Sequence, residues 1–406
     1  MELLAPVGGP EQLKAAIHFG ADAVYLAGDR FGLRQNAGGF APDELARACA
    51  LAHEHGVAVH VAVNVLMHED DLGGTAEGMP LEAYLAQVAE AGADAVIAGD
   101  LGTIAVARRV APALEVHAST QLSCANHEAA RVLYELGCSR VVLARELSVA
   151  EIARLRQQAP ADLELEAFAH GAMCMAVSGR CLISSHLNAR SANRGACTQP
   201  CRWTYTLEEE QRPGIHFPIV EDARGTSILS SKDLMMLDHL DDLARAGVGS
   251  IKIEGRAKGA YYVATVVNAY RQALDGADPQ GLLGELDAVS HRPYHTGFYY
   301  GAPDQTNANR EYRQVKLLVG FVDGGDATAG TVDFTLRNRV TVGQELEVLS
   351  PGQPVRRFTC GRLYNLDQEA YASTGNRNGE RYRIEAPFPI GAGDILRRAC
   401  EPHEVR

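Results

Sequence analysis

Eight short apolar runs, each leading into a stretch of helical periodicity, fill the first 276 residues and leave the chain very few folds to choose from. The runs are ELLAP, AVYLAG, VAVHVAVNV, AVIAGD, EVHAST, RVVLARE, LELEAFAHG and SIKIEGR. Between them lie amphipathic segments such as PEQLKAAIHFG, NHEAARVLYELG and SVAEIARLRQQAP, and glycines such as Gly20 and Gly137 close helical segments just ahead of a strand. Parallel strands need covering helices and right-handed crossovers. Eight such units therefore close most simply as an α/β fold, a (β/α)8 TIM-like barrel. An open doubly wound sheet uses the same units, but no GxGxxG follows the first run.

One connection is out of proportion. About sixty residues separate the end of the seventh run, near His170, from the helical pattern KDLMMLDHLDDLARAG, against roughly 2–6 in an ordinary barrel loop. The expected organisation is a barrel over 1–285 with a cysteine-rich insertion at 172–232, a polar and aromatic linker over 286–314, and a small β-barrel-like domain over 315–406. The last assignment rests on short alternating runs such as VKLLVGFVD and TAGTVDFTLRNRV, separated by Gly, Pro and Asn. In a barrel, an insertion after strand seven leaves from the face that carries catalysis.

Charge narrows the partners. With 38 Lys and Arg against 51 Asp and Glu, the net charge of −13 opposes broad binding to nucleic acid or anionic membrane, although it permits a local basic face. Such a face exists in sequence: Ala167 to Leu207 holds no Asp or Glu, yet contains Arg180, Arg190, Arg194 and Arg202. The start, MELLAPVGGP, has no basic leader pattern and no run approaches the ~18 apolar residues of a membrane span, so a cytoplasmic protein with no membrane partner is expected.

Nine cysteines without a leader argue against a disulfide framework. Cys49 sits at helical spacing from Leu45, and Cys124, Cys138, Cys360 and Cys400 are scattered, so all five are expected to pack as small apolar residues. Cys174, Cys181, Cys197 and Cys201 differ, because they are separated by six, fifteen and three residues in a segment with little apolar material to bury them. Four thiolates suit an iron–sulfur cluster or tetrahedral zinc. Structural zinc usually takes two close pairs, and only Cys197 and Cys201 make one.

The nearby arginines are either solvated loop charges or a holder for an anionic substrate, for which the guanidinium fork is suited. Trp203 either packs or stacks a nucleobase. In the barrel reading, Arg34, Asn64, Gln121, Arg145, Lys252, Glu254 and Arg256 fall at strand ends on the catalytic face, where they contact substrate or form a salt-bridge network. HExxH, GxSxG and GxxxxGK[ST] are all missing, so the usual machinery of a zinc protease, serine hydrolase or nucleotidase is not visible.

The stretch from Glu166 to Tyr205, EAFAHGAMCMAVSGRCLISSHLNARSANRGACTQPCRWTY, closely resembles the signature of the collagenase-like peptidase family U32. ELLAPVGGPEQLKAAIHFGADAVYL, FGLRQNAGGF and VSHRPYHTGFYYG resemble its other landmarks, so the likeness spans nearly the whole chain. It implies a TIM-like barrel followed by a small β domain. Some members of the family are described as collagenolytic peptidases. Others are oxygen-independent hydroxylases that carry a 4Fe-4S cluster, use prephenate as oxygen donor and act on ubiquinone precursors, ribosomal RNA or the wobble uridine of tRNA.

Compact length and a single β domain are most similar to the tRNA-hydroxylating members. The resemblance thus implies a cluster on Cys174, Cys181, Cys197 and Cys201, with zinc as the alternative metal. Arg34, Arg145, Arg180, Arg194 and Arg256 are the substrate-binding candidates for tRNA phosphate or the small dicarboxylate prephenate. A homodimer or a paired family member is a further implied partner. A peptidase, with or without zinc, and a zinc-stabilised RNA-binding subunit are the alternative readings.

Overall fold

A computed structural model describes residues 1–33, 38–73, 79–173, 181, 183–200, 220–222, 225–227, 232–301, 312–326, 328–400 and 404. The strands are β1 Glu2–Pro6, β2 Ala23–Leu26, β3 Ala58–Val63, β4 Ala95–Ala98, β5 Glu115–Ala118, β6 Arg140–Val142 and β7 Glu164–Ala172. After them come a short hairpin of β8 Val220–Asp222 and β9 Gly225–Ser227, then β10 Asp233–Met235, β11 Ser250–Ile253 and β12 Tyr294–His295. Strands β1 to β7 pair in sequence order and in parallel, and β11 pairs with both β7 and β1. The eight-stranded TIM-like barrel expected from the strand and helix alternation is therefore closed.

The helices are α1 Pro10–His18, α2 Pro42–Glu54, α3 Glu69–Gly73, α4 Leu81–Glu90, α5 Leu101–Val110, α6 His127–Glu135, α7 Val149–Gln158, α8 Ile183–Asn188, α9 Leu240–Arg245, α10 Ala260–Leu274 and α11 Pro279–Leu286. Their starts are written locally. Asp100, Asn126 and Ser148 accept the backbone N–H groups of Thr103, Ala129 and Glu151, satisfying donors that a helix start leaves open. The buried faces of the barrel strands, for example the fully apolar pattern of AVIA in β4, fit a parallel sheet covered on both sides.

The segment KDLMMLDHLDDLARAG departs from its helical pattern. Its first part is strand β10, antiparallel to the end of β7 and parallel to β12, and only Leu240–Arg245 is α-helical. Tertiary contacts override the local pattern here: the buried Asp233 carboxylate accepts from the Arg292 backbone N–H at 2.9 Å and from its guanidinium at 2.7 and 3.1 Å. The polar segment after the last helix also returns to the barrel, since the Tyr299 hydroxyl donates to the Phe168 carbonyl at 2.6 Å.

Chain contacts divide the protein into two compact units: Met1–Leu13, Ala21–Lys258 and Arg292–Glu311 form one, and Lys14–Gly20, Gly259–His291 and Tyr312–Arg406 form the other. The second unit holds α10 and α11 together with an antiparallel β region. Its strands are β13 Lys316–Asp326, β14 Thr331–Leu336, β15 Val340–Thr341, β16 Glu345–Leu349, β17 Arg356–Thr359, β18 Leu363–Asn365, β19 Ala370–Ala372, β20 Thr374–Gly375, β21 Arg381–Glu385 and β22 Ile395–Ala399. The main sheet runs β17-β16-β22-β13-β14-β21-β18-β19 around Val319, Phe334, Leu346, Val348, Ile384 and Leu396. Inside this unit the buried Arg397 guanidinium is held by Glu347 at 3.0 Å and Glu285 at 2.7 Å. Among the described residues no helix is long and apolar enough to cross a membrane.

Candidate functional site at the barrel mouth

Alternation along the strands turns one set of side chains into the barrel, and at the C-terminal end these line a cavity. Tyr25, Asn64, Ile97, Val142, Phe168 and Lys252 contribute from six strands or their ends, joined by Ser119, Gln121, Arg145, Glu254 and Arg256. The sequence candidates Asn64, Gln121, Arg145, Lys252, Glu254 and Arg256 thus meet in one place. Tyr25, Ser119 and Phe168 were missed, although inward parity along β2, β5 and its continuation, and β7 carried the signal.

Arg145 is tightly held at the cavity. Its side chain is 8% exposed, its guanidinium carbon lies 3.7 Å from the centre of the Phe168 ring, and it donates to the Ala172 carbonyl at 3.0 Å. Glu254 is 3.9 Å away, and the Arg145 Nε is buried without a hydrogen-bond partner among the described residues. Stacking and one carbonyl fix the plane of the guanidinium, and the open donor suits a carboxylate or phosphate oxygen. Arg256, also buried, reaches the Gly38 carbonyl at 3.5 Å.

The polar side of the cavity is pre-set as well. The Asn64 side-chain oxygen accepts the Leu33 N–H at 2.9 Å, which leaves its NH2 group as the donor. Gln121 donates to the Asn64 carbonyl at 2.5 Å and accepts from the Ser119 hydroxyl at 3.0 Å. The Tyr25 hydroxyl bridges the Ile253 carbonyl at 3.0 Å and Glu254 at 3.4 Å.

Beneath the cavity the barrel interior is ionic. Glu166, fully buried, accepts from Lys252 at 2.8 Å and from Arg140 at 3.1 Å, and Arg140 is also gripped by Glu2 at 2.6 Å and Glu164 at 2.6 Å. Burial alone pushes the Glu166 carboxyl up, but Lys252 and Arg140 more than offset it and bring it down to about 2.

His60 and His117 meet edge to face with ring centres 4.7 Å apart. Burial first, then the neighbouring His117 and Arg140, lower His60 from 6.5 to about 3, so it is neutral in the fold. An unfolded chain binds that proton below about pH 6.5, so stability is full above this value and falls as pH drops towards 3, by up to about 1.4 kcal/mol per pH unit. His60→Gln is expected to remove this part of the slope in urea unfolding between pH 6.5 and 5. An unchanged slope would assign the acid sensitivity elsewhere.

Strand β7 reaches the mouth through a glycine. Gly171 has φ +106°, and a Cβ there would sit 2.4 Å from the Glu254 carbonyl oxygen. Gly171→Ala is expected to cost about 1–3 kcal/mol and to move Glu254 out of register. Thermal denaturation checks the first effect and loss of turnover the second; an equally stable, equally active variant would contradict both.

The cysteine-bearing insertion docks on this same face. Leu66, just past β3, donates its N–H to the Asn193 carbonyl at 2.7 Å. Arg194 donates to the Leu66 carbonyl at 2.9 Å and to both Asp71 oxygens at 2.6 and 3.2 Å. The hydrogen bonds from Arg194 hold the Asp71 carboxyl below its ordinary range against partial burial. Arg194, expected as a substrate ligand, thus ties the insertion to α3, and the cavity lining does not include it. Arg34, Arg180, Cys174, Cys201 and Trp203 lie outside the described residues.

Cys181 and Cys197 are free thiols and half-buried, unlike Cys49, Cys124, Cys138 and Cys360, which are buried as expected. Burial pushes Cys49, Cys124 and Cys360 up to about 11 and Cys138 up to about 12. Cys400 is half-buried and shifted in the same direction. Around Cys197 the backbone turns a donor towards the sulfur. Gln199, at φ +55°, turns its N–H to the Cys197 Sγ at 3.3 Å. Thr198 is fixed by the buried Ser184 and by Asn188, each at 3.1 Å. N–H donation to sulfur and partial exposure fit a metal ligand better than a packed apolar residue, while among the described residues no three His, Cys, Asp or Glu side chains gather as a metal site.

Comparison with known proteins shows the family. The model of peptidase family U32 matches residues 8–309, and that of the U32 C-terminal domain matches 316–397. The tRNA hydroxylation protein P1 of Bacillus subtilis is 39% identical over 370 residues, covering 88% of this chain and 85% of that protein. The tRNA hydroxylation protein P of Escherichia coli is 34% identical over 439 residues, covering 96% and 94%. A collagenase of Porphyromonas gingivalis is 34% identical over 420 residues, covering 98% and 97%.

Proposed function

As this chain belongs to peptidase family U32, we propose that it is an RNA-hydroxylating enzyme acting on tRNA. In this reading it forms 5-hydroxyuridine at the wobble position without oxygen, uses prephenate as oxygen donor, and carries a 4Fe-4S cluster on Cys174, Cys181, Cys197 and Cys201. It works in the cytoplasm, as a homodimer or with a paired family member. The observation that carries the reading is the docking of a free-thiol loop, through Arg194, Asp71 and Leu66, onto the face that opens into a cation-lined cavity. Relatives named for tRNA hydroxylation that match about nine-tenths of the chain support the substrate.

The residues divide the work as follows. Arg145, held flat by Phe168, and Arg256 bind the carboxylates of the small substrate, with the Asn64 NH2 group as a neutral donor beside them. Glu254, placed by Tyr25, is the carboxylate in the cavity able to take a proton. A cluster held by the four cysteines supplies one-electron chemistry when bound. Arg34 and Arg180 are assigned to tRNA phosphate.

A second reading, a collagenase-like peptidase with or without zinc, is favoured by the collagenase relative that matches 98% of the chain. Anaerobic purification with determination of iron, sulfide and zinc, followed by nucleoside analysis of treated tRNA, separates the two. Iron with sulfide and prephenate-dependent 5-hydroxyuridine is the expected outcome. Zinc without sulfide, together with gelatin cleavage, would transfer the chain to the peptidase reading. Zinc without either activity would favour a zinc-stabilised RNA-binding subunit.

A further inference from the structure

The charges inside the barrel form a column rather than a scatter. Glu2, Arg140, Glu164 and Ser250 are the first residues of β1, β6, β7 and β11, at the end opposite the mouth. Two residues further along β7 and β11 come Glu166 and Lys252. From bottom to mouth the signs therefore alternate: Glu2 and Glu164, then Arg140, then Glu166, then Lys252. Lys252 alone of these lines the cavity.

The surroundings of Lys252 are unusual for a structural lysine. Its side chain is 5% exposed, so the ammonium cannot reach bulk water in the way a surface lysine does. One flank is the Glu166 carboxylate at 2.8 Å; the others are the faces of Tyr25 and Phe168, with ring centres at 4.4 and 5.7 Å. Glu254 just past β11, Arg145 after β6, and Arg256 complete the charged groups at the cavity among the described residues, and Arg140, His60 and His117 lie below. Both Glu166 oxygens are engaged, one by each cation, so its carboxylate cannot swing away. A chain seeking only a filled barrel has apolar layers available that do not carry the desolvation cost of five buried or half-buried charges.

We propose that Lys252 is a substrate-binding cation at the floor of the mouth, and that Glu166, braced by Arg140, is a positioning residue that keeps this ammonium aimed at the ligand. The proposal rests on the reading of the mouth as a site for a small carboxylate and adds the group that contacts it from below. Arg145 grips the ligand through a planar fork, whereas Lys252 offers a point charge against an aromatic wall, so the two recognise different oxygens of a dicarboxylate.

The test uses the whole anaerobically purified protein with 13C-labelled lysine. The chain has only five lysines, Lys14, Lys232, Lys252, Lys258 and Lys316, so Lys252→Arg identifies the signal of interest. In Glu166→Gln the order parameter of the Lys252 Cε–H bonds is expected to fall clearly below that of the unaltered protein, because the ammonium loses the carboxylate that holds it at 2.8 Å. An unchanged order parameter would overturn the positioning role of Glu166, and this arm needs no ligand. Prephenate is then titrated into the labelled protein.

Saturating prephenate is expected to shift the Lys252 signal while leaving Lys14 and Lys316 in place. Bound prephenate that leaves Lys252 undisturbed would overturn the contact. Failure of prephenate to bind the unaltered protein at all would instead defeat the functional reading above, and the contact with it, while the Glu166→Gln order parameter still decides the positioning role. Glu166→Gln with Lys252→Met removes both charges together, so neither is stranded in the barrel. This pair is expected to weaken prephenate binding about tenfold or more, while Lys252→Arg retains most of it.

Discussion

Replacing Cys181 with alanine is expected to abolish the visible absorption of the anaerobically purified protein and to lower tRNA hydroxylation about a hundredfold or more, with the barrel still folded. Cys181 is half-buried in the loop that docks on the mouth, and its replacement removes the proposed ligand without touching a barrel strand. Cys124→Ala is the matched control. That thiol is fully buried and its proton is held by burial up to about 11, so its removal costs about 1–2 kcal/mol of packing and no chromophore. Iron, sulfide and turnover measured on both variants decide the matter. A cluster-free Cys181→Ala protein that still hydroxylates tRNA would remove the metal from the reaction, and equal losses in both variants would mean that general instability, not ligation, is being read.

Arg140→Met is expected to be the most destabilising single change in the barrel, by about 3–5 kcal/mol, because it strands Glu2, Glu164 and the fully buried Glu166 with one cation among them. The sign of its pH dependence is diagnostic. In the intact protein Glu166 sits at about 2 against an ordinary 4.5, so its ion pairs contribute fully above pH 4.5 and are lost as pH falls towards 2. Without Arg140 the carboxylates repel, and protonating them relieves the repulsion. The penalty of Arg140→Met, read by thermal denaturation, is therefore expected to shrink between pH 7 and pH 4. A penalty that stays constant over that range would mean that lost packing of the long side chain, not charge, explains the effect.

Much of this was legible because repeating patterns report on local structure. The eight barrel strands coincide with the eight apolar runs, since a parallel strand covered on both faces must be apolar over most of its length. The four cysteines stood out because their segment lacks apolar partners, and the two that can be described are free thiols half-open to solvent. Strand β10 was not legible. Its residues carry a helical pattern, and only Arg292, 59 positions later, makes an extended Asp233 favourable. Arg194 shows the same limit: sequence marks it as a basic residue beside cysteines, and nothing nearby reveals that Asp71, 123 positions earlier, takes its charge.

Sequence by itself determined the barrel, the antiparallel β region that follows, and the place of the cysteine loop at the end of strand seven, because periodicity, turn residues and spacing act over short stretches of chain. Tertiary structure alone decided which charges face which. Glu2, Arg140, Glu166 and Lys252 are scattered over 250 positions, and only closure of the barrel stacks them in one column beneath Arg145 and Glu254. The physical reason is that a charge in a low-dielectric interior is governed by partners within a few ångströms, and those neighbours are set by how the strands close rather than by their order in the chain.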